Sequence, residues 1–475
     1  MTFLSLNFIL FLLVICLLYY LLPKKTQWII LIIASLVFYL SIGLASLIAI
    51  IIETAICFIC AKYVRNKKGL LFTISIILIV LMFAIKLIPP TFISILGMSY
   101  YTLMLVGYMI DVQRETIECE TNFAKLLLFA GFFPAIIQGP ISRYSNLMPQ
   151  LMAEHKFNSQ NVFDGIVRFA WGAFKKMVIA NRISVFMSSI AIHDKAAGSI
   201  VLLNLILMVP ELYADFSGYT DMALGISQIL GITLPENFKQ PLFARSVSEF
   251  WRRWHITLSS WMKDYIYYPI VMSSQAKHFL KNGGKEQKKS RTKIISCVAM
   301  LILWIFMGIW HGTGLKFVIL GLYCALIFII TFLLEPISKK FDNNHKKLTA
   351  NPIWKFWQQF RTFLLMWFAF IMIGISSLSK FGNYVMRIFT DFRIEKIFDG
   401  GLLKYDLSIP QWILLIIGLA AMLAVSIIEY NTKESIVKII AKQKLPVRIL
   451  IYWFIIIMIM FSLSVQNTEF VYAQF

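Results

Sequence analysis

The sequence predicts an all-α, polytopic integral membrane protein. Of its 475 residues, 59% are hydrophobic and only 15% are charged, whereas soluble domains carry about 25% charged residues. Apolar runs of roughly 17–25 residues, the length that a helix needs to cross a bilayer, recur along the whole chain. The runs are continuous rather than alternating, which argues against a β-barrel.

The charge pattern indicates a membrane partner rather than a nucleic acid. The net charge is +21, from 45 basic and 24 acidic residues, and the basic residues lie in short loops between apolar runs. Retention of basic loops on the cytoplasmic side and attraction to anionic lipids explain this placement. The six cysteines include no second pair beside Cys57 and Cys60, so neither a redox site nor a metal site is predicted.

The first five spans follow each other closely. The amino-terminal run lacks the basic region and the cleavage site of a signal peptide, and Lys24 and Lys25 follow it, so we expect it to run from outside to inside. A short pair and two longer runs follow, with basic clusters at alternate ends. The predicted spans are residues 1–22, 28–40, 44–61, 70–88 and 92–110.

The next apolar run, residues 123–138, ends at Gly139-Pro140, and Arg143 follows within a hydrophobic stretch. Such a break indicates either a re-entrant turn buried in protein or an ordinary loop at the headgroups. In the re-entrant case we expect Arg143 to pair with an acidic group.

Charged residues also interrupt the two runs that come next. Lys175 and Lys176 lie within residues 163–192, which predicts that this run includes an interfacial helix. Residues 200–231 carry three acids, and a carboxylate at mid-bilayer costs about 2.5–3.5 kcal/mol. Either basic partners brace these acids, or the acids line a substrate path. The three acids are Glu211, Asp215 and Asp221.

The densest cluster of polar and aromatic residues is FWRRWHITLSSWMKDYIYYP, residues 250–269. Read as one helix, it places His255 on an apolar stripe and its three cations on a wetter face. These cations are Arg252, Arg253 and Lys263. A basic stretch, residues 277–293, then predicts a cytoplasmic loop.

His311 lies in GIWHGTG, after an apolar run of residues 294–309. As a helix this run spans roughly 24 Å, which is less than the ~30 Å of a hydrocarbon core. We therefore expect His311 to be a buried imidazole at a mid-membrane turn. Residues 352–367 have an interfacial composition, residues 381–407 predict an amphipathic helix on the membrane or against a partner, and residues 412–428 and 447–463 complete the bundle.

Four motifs in order, QGPISRY, DFSGYTDMALGISQILGITLPENF, WRRWH and GIWHG, resemble the membrane-bound O-acyltransferases. The chain is most similar to the branch of the alginate O-acetyltransferases, and the likeness extends to the carboxyl-terminal EFVYAQF. It implies a single domain, residues 1–475, with a catalytic core at about 120–335 and roughly eleven spans around a central tunnel. His311 matches the near-invariant histidine of the family, and His255 matches its second polar position.

The chemistry of histidine agrees with this resemblance. Acyl transfer to a hydroxyl needs a proton acceptor, and imidazole has an ordinary pKa near 6.5. We expect His311 to be the general base and His255 to orient the acyl carbonyl or donate to its oxyanion. Arg252, Arg253 and Lys263 are candidates for binding the phosphates of coenzyme A. Structural roles remain alternatives: packed core histidines, and arginines that anchor a helix end.

The predicted function is transfer of an acetyl group, from acetyl-CoA as donor and without a metal, across the cell membrane to an extracellular polysaccharide. The resemblance implies a secreted or membrane-anchored acetyltransferase partner, which would dock on residues 381–407. D-alanyl transfer to teichoic acid is the related alternative. A transporter would need corresponding broken helices in two halves, and a haem protein would ligate iron through both histidines.

Overall fold

The computed structural model describes residues 1–64, 67–86, 95, 97–192, 196–281, 284–312 and 314–463. These residues form helices and no β-strand, which confirms the all-α prediction. The EFVYAQF end and Pro89-Pro90, which the sequence places after the fourth span, lie outside the described residues. The helices of the first half are α1 (Leu6–Leu21), α2 (Gln27–Ile42), α3 (Leu44–Val64), α4 (Lys68–Lys86), α5 (Met98–Gln113), α6 (Phe123–Gly131), α7 (Tyr144–Met152), α8 (Ser159–Phe174), α9 (Asn181–Ile192) and α10 (Gly198–Ile229).

The second half begins with short helices and continues with long ones. Seven helices of the described chain are long and apolar enough to cross a membrane, and four shorter apolar helices accompany them. The protein is therefore a multi-pass membrane protein. The helices of the second half are α11 (Val247–Trp251), α12 (Ile256–Met262), α13 (Tyr268–Val271), α14 (Ser274–Lys281), α15 (Lys285–His311), α16 (Leu315–Asn344), α17 (Lys346–Ala350), α18 (Pro352–Gly374), α19 (Leu378–Thr390), α20 (Ile409–Thr432), α21 (Ile436–Ala441) and α22 (Leu445–Met460).

Helix α10 forms the centre of the bundle and packs closely against α8. A Cβ added to Gly172 would lie 2.4 Å from the carbonyl oxygen of Gly218, and one added to Gly165 would lie 2.6 Å from that of Gly225. Small residues at such crossings let two backbones approach each other within a membrane. The glycines therefore fix the distance between α8 and α10.

The interfacial helix predicted around Lys175 stays a prediction, but the structure shows that this segment is not a separate helix. Helix α8 continues through a π-helical segment, Lys175–Ala180, directly into α9. The Lys175 ammonium lies 2.6 Å from a carboxylate oxygen of Asp221, and Lys176 lies at the same distance from Asp215. Because partners on α10 neutralise both lysines, both side chains can be buried inside the bundle. These two acids thus brace helices.

The sides of the membrane follow from α10. Its carboxyl end accepts a hydrogen bond from the Tyr20 hydroxyl at Ile229 O, close to Lys24 and Lys25 on the side expected to be cytoplasmic. At its other end, Gly198 N donates to Asp391 O at 2.8 Å. If that side is cytoplasmic, we expect α19 and the residues after it to lie on the outer side. The basic stretch 277–293 is largely helical, in α14 and the first turns of α15, rather than a loop.

The run at residues 123–138 does not form a full span. Helix α6 ends after nine residues, at Gly131, and a 3₁₀ turn, Phe133–Ala135, follows. The chain then turns back through buried residues to α7, which agrees with the re-entrant alternative. Arg143 pairs with Asp264, with 2.9 Å between the guanidinium nitrogen and the carboxylate oxygen.

Candidate active site

His255 lies at a break in the cluster that the sequence predicts as one helix. Helix α11 ends at Trp251 and α12 begins at Ile256, and His255 between them has φ 42° and ψ 53°. This left-handed conformation is uncommon for a residue with a side chain and occurs often at functional sites. The single continuous helix was therefore a wrong prediction, although the buried position of His255 agrees with it.

Aromatic rings surround the His255 imidazole, which is 1% exposed. The ring of Phe216 on α10 meets it edge-on, with the ring centres 4.7 Å apart. Tyr100 in the first turn of α5 lies 6.5 Å away and Trp310 on α15 lies 6.2 Å away, centre to centre. Three separate helices thus enclose this side chain.

His311 is the last residue of α15 and is also buried, at 4% exposure. Its ring centre lies 5.0 Å from that of Trp310, and the Trp310 ring lies 6.2 Å from that of His255, so one tryptophan lies beside both imidazoles. A Cβ on Gly308, one turn earlier, would lie 2.2 Å from Phe317 O on α16. The glycine therefore lets α16 pack directly against the end of α15 that carries His311.

Asn237 holds His255 in one orientation. Its Oδ1 accepts hydrogen bonds from the backbone N–H of Thr257 at 3.1 Å and from the Thr257 hydroxyl at 2.7 Å. Because a backbone N–H can only donate, the amide oxygen is the atom that faces His255 Nδ1, at 3.4 Å. Nδ1 therefore carries the proton, and Nε2 of the neutral ring is an acceptor.

Asn237 was not predicted as a site residue. It lies in the LPENF segment of a motif that carries the family resemblance, and that motif was the only signal for it. The Nε2 atom of His255 is buried and has no hydrogen-bond partner among the described residues. The arrangement thus leaves a fixed, unused acceptor inside the membrane protein.

The three cations predicted to bind the acyl donor differ from one another in their exposure and partners. Arg253 donates to Glu249 at 2.7 Å and to the carbonyl of Lys239. Arg252 and Lys263 are exposed, one before α12 and the other after it, and the Lys263 ammonium lies 5.3 Å from the centre of the Tyr268 ring. Only Arg252 and Lys263 thus present exposed charges to a ligand.

A cavity of about 900 Å³ lies between α4, α5, α15 and the segment that follows α12, and its lining includes Asp264, the residue after Lys263. Its walls are mainly apolar, and its polar groups include Arg114, Asp264 and Tyr265. The volume lies within the range of small-molecule sites, about 300–1,000 Å³. Across the described residues, no group of three or more His, Cys, Asp or Glu side chains is arranged to hold a metal ion.

The fold and this geometry define a class of protein: a multi-pass helical membrane protein with two buried imidazoles where re-entrant segments meet. The membrane-bound O-acyltransferase family model matches residues 112–375, a range that contains both histidines. Because the match covers more than half of the chain, the protein belongs to this family.

Curated relatives differ in the group that their names say they transfer. The chain is 29% identical over 298 residues to a probable alginate O-acetylase of Pseudomonas fluorescens, covering 62% of this chain and 54% of the relative. It is 31% identical over 258 residues to a teichoic acid D-alanyltransferase of Bacillus subtilis, covering 53% and 62%. It is 31% identical over 284 residues to a peptidoglycan O-acetyltransferase of Helicobacter pylori, covering 54% and 50%. The matches thus span about half to three fifths of each relative.

Proposed function

We propose that this protein is an O-acyltransferase that moves an acetyl group from a cytoplasmic thioester, acetyl-CoA, to hydroxyls of a polysaccharide outside the cell membrane. The observation that carries the proposal is the buried pair His255 and His311, within a family of acyltransferases. Relatives named for acetylation of alginate and peptidoglycan support acetyl as the group. Residues 1–475 would act as one domain with a core at about 120–335.

His311 is the general base in this proposal. It removes the proton of the acceptor hydroxyl while the oxygen attacks the carbonyl carbon of the thioester. When the tetrahedral intermediate collapses, the C–S bond breaks and the departing thiolate takes the proton from the imidazolium. A positioned base of this kind contributes about 10²–10⁴-fold to the rate.

His255 has a complementary part. To orient the carbonyl or stabilise the oxyanion, His255 would need a hydrogen-bond donor at Nε2. The neutral ring has no proton at Nε2 while its Nδ1–H faces Asn237. We therefore assign His255 the role of accepting a hydrogen bond from a second hydroxyl of the acceptor, not the one whose proton His311 removes, which positions the nucleophile beside His311.

On the cytoplasmic side, Arg252 and Lys263 would contact the phosphates of the donor, with Arg253 held near them by Glu249. The 900 Å³ cavity lined by Asp264 has room for the thioester arm. The outer surface of α19 would bind a secreted or membrane-anchored acetyltransferase that finishes the transfer to polymer. D-alanyl transfer remains the second candidate, because the teichoic acid enzyme matches at similar identity.

The test is the variant His311→Ala, compared with His278→Ala, whose histidine is exposed on α14. Cells expressing each variant at equal level are analysed by mass spectrometry of their surface glycans. We expect acylation to be lost only in His311→Ala, and the mass of the added group distinguishes acetyl from D-alanyl. Normal acylation in His311→Ala would overturn the assignment of the base.

A further inference from the structure

The re-entrant loop between α6 and α7 contains a buried amide that the proposed mechanism does not yet use. Gln138 is fully buried, and neither its Oε1 nor its Nε2 has a hydrogen-bond partner among the described residues. Buried polar groups are nearly always hydrogen-bonded, and an exception requires an explanation. A substrate atom that the structure does not contain is one such explanation.

The loop crosses the layer of the protein that encloses His255. The hydroxyl of Thr220 on α10 donates to Gln138 O at 3.2 Å, one turn after Phe216, whose ring meets the His255 imidazole. Ile141 N donates to the hydroxyl of Thr257 at 3.0 Å, and Thr257 in turn donates to Asn237.

The other side of the loop meets α5. A Cβ on Gly97 would lie 2.5 Å from Ile136 Cγ2, so Ile136 packs at the start of α5, one turn before Tyr100. Tyr100 is the α5 residue whose ring faces His255. The backbone on either side of Gln138 therefore contacts α5 and α10, two of the helices that enclose His255, and the start of α12, which follows His255 in the chain.

The chemistry of the site needs a hydrogen-bond donor that His255 does not supply. In the tetrahedral intermediate the carbonyl π electrons move onto oxygen, and preorganised donors stabilise that charge in a water-poor site. The neutral His255 ring presents an acceptor at Nε2, as its hydrogen bond with Asn237 dictates. The carboxamide of Gln138 carries two N–H donors at Nε2.

We infer that the Gln138 Nε2–H group donates to the acyl carbonyl oxygen and binds it most strongly when it becomes the oxyanion. This inference rests on the proposed acyl transfer. The hydroxyl oxygen forms the new C–O bond, the carbonyl oxygen takes up the electron pair at Gln138, and the C–S bond then breaks. His311 moves the proton from the hydroxyl to the departing thiolate, so the step balances.

The experiment uses the full chain in proteoliposomes with acetyl-CoA and a small hydroxyl acceptor. The variant Gln138→Met keeps most of the side-chain volume and removes both donors. We expect kcat to fall by about 10²–10³-fold, while the KM for acetyl-CoA changes little because the contact is strongest in the transition state. A wild-type kcat, or a loss confined to KM, would overturn the inference.

Two further variants separate this role from a structural one. Asn204→Leu removes another buried amide with an unpartnered oxygen, about three turns from Phe216 on α10, and we expect its kcat to equal that of wild type. Gln138→Glu retains the shape of glutamine and can donate only when protonated. Its kcat relative to wild type is expected to rise as the pH falls, and a flat ratio would count against the oxyanion role.

The outcomes also separate this inference from the proposed function. If the wild type transfers acetyl and His311→Ala does not, a fully active Gln138→Met overturns only the role of Gln138. If neither the wild type nor any variant transfers an acyl group, the proposed function itself is wrong. Melting temperatures of the purified variants identify any that fail to fold.

Discussion

At the scale of single residues, one oxygen organises the candidate site. Asn237 Oδ1 accepts from the backbone and hydroxyl of Thr257, the second residue of α12, and faces Nδ1 of His255. The same hydroxyl accepts a hydrogen bond from Ile141 N of the re-entrant loop. Removing this oxygen would release the imidazole, the start of α12 and the loop together.

We therefore predict that Asn237→Leu lowers kcat by about 10²-fold, since a small misplacement of a reacting group has effects of that size. Asn237→Asp retains an acceptor oxygen and should keep more activity than the leucine variant. Steady-state acetyl transfer with purified protein measures both variants. Equal losses in the two would contradict the orienting role and favour a purely steric one.

The cations before α12 lead to a prediction about the donor. Arg252→Gln together with Arg253→Gln should raise the KM for acetyl-CoA more than it lowers kcat, because a phosphate contact binds ground state and transition state alike. Arg252→Gln alone tests the exposed cation without disturbing the Arg253–Glu249 pair. Lys346→Gln, at an exposed site on α17, is the control. An unchanged KM would leave these arginines as anchors of a helix end.

How far the site could be predicted depends on the residue. His255 and His311 stand out because polar, motif-bearing residues are rare in apolar runs. The left-handed backbone at His255 was not predictable, because periodicity continues across it and the break depends on Asn237, distant in sequence. The QGPISRY motif was the only signal for Gln138, since one glutamine before a Gly-Pro break is otherwise ordinary in a loop.

At the scale of elements, buried ion pairs join the long helix α8–α9 to α10. The pair Lys176–Asp215 is nearly inaccessible, with side-chain exposures of 3% and 0%. Asp215 precedes Phe216, whose ring contacts the His255 imidazole. The pair therefore connects the packing of two spans with the position of a candidate site residue.

For this pair we predict a strongly non-additive double-mutant cycle. Lys176→Met or Asp215→Leu alone should destabilise the protein by about 3–5 kcal/mol, because each leaves a buried charge without its main counter-charge. The double variant should recover most of that stability, since apolar pairs often replace buried ion pairs at little cost. Thermal unfolding in detergent measures all four proteins. Additive losses would mean that the two side chains act independently.

The elements also show where sequence patterns succeed and fail. Spans 44–61 and 200–231 were predicted nearly at their observed bounds, because long apolar runs have one stable solution in a bilayer. The burial of Lys175 was not predictable from its own run, because the acid that neutralises it comes from another helix. Residues 352–367, read as interfacial, form the first part of α18, a candidate span.

At the scale of the whole molecule, the two faces of the membrane protein carry different groups. Arg252, Lys263 and the basic turns of α15 lie on the side expected to be cytoplasmic. On the outer side, α19 ends in a strongly exposed apolar surface, with Phe389 83% exposed and Met386 65% exposed. The predicted tunnel between the two faces stays a prediction, as does the role of the outer surface.

The outer surface of α19 leads to the last prediction. Phe389 lies in the last turn of α19, and the exposed Phe392 comes shortly after the helix ends. The segment after α19 is fixed to the start of α10, because the backbone N–H groups of Gly198 and Ser199 donate to the carbonyl oxygens of Asp391 and Phe392. If a second acetyltransferase docks there, Phe389→Glu with Phe392→Glu should block polymer acetylation in cells while acetyl transfer to a small acceptor continues.

Leu348→Glu, at an exposed apolar site on α17 of the opposite face, is the matched control and should leave both activities unchanged. Proteoliposomes that contain only this protein, with acetyl-CoA on one side and polymer on the other, test the need for a partner directly. An exposed apolar surface binds either lipid or a protein partner, and in the partner case we expect little polymer acetylation until the partner is added. Efficient acetylation by this chain alone would show that it completes the transfer itself.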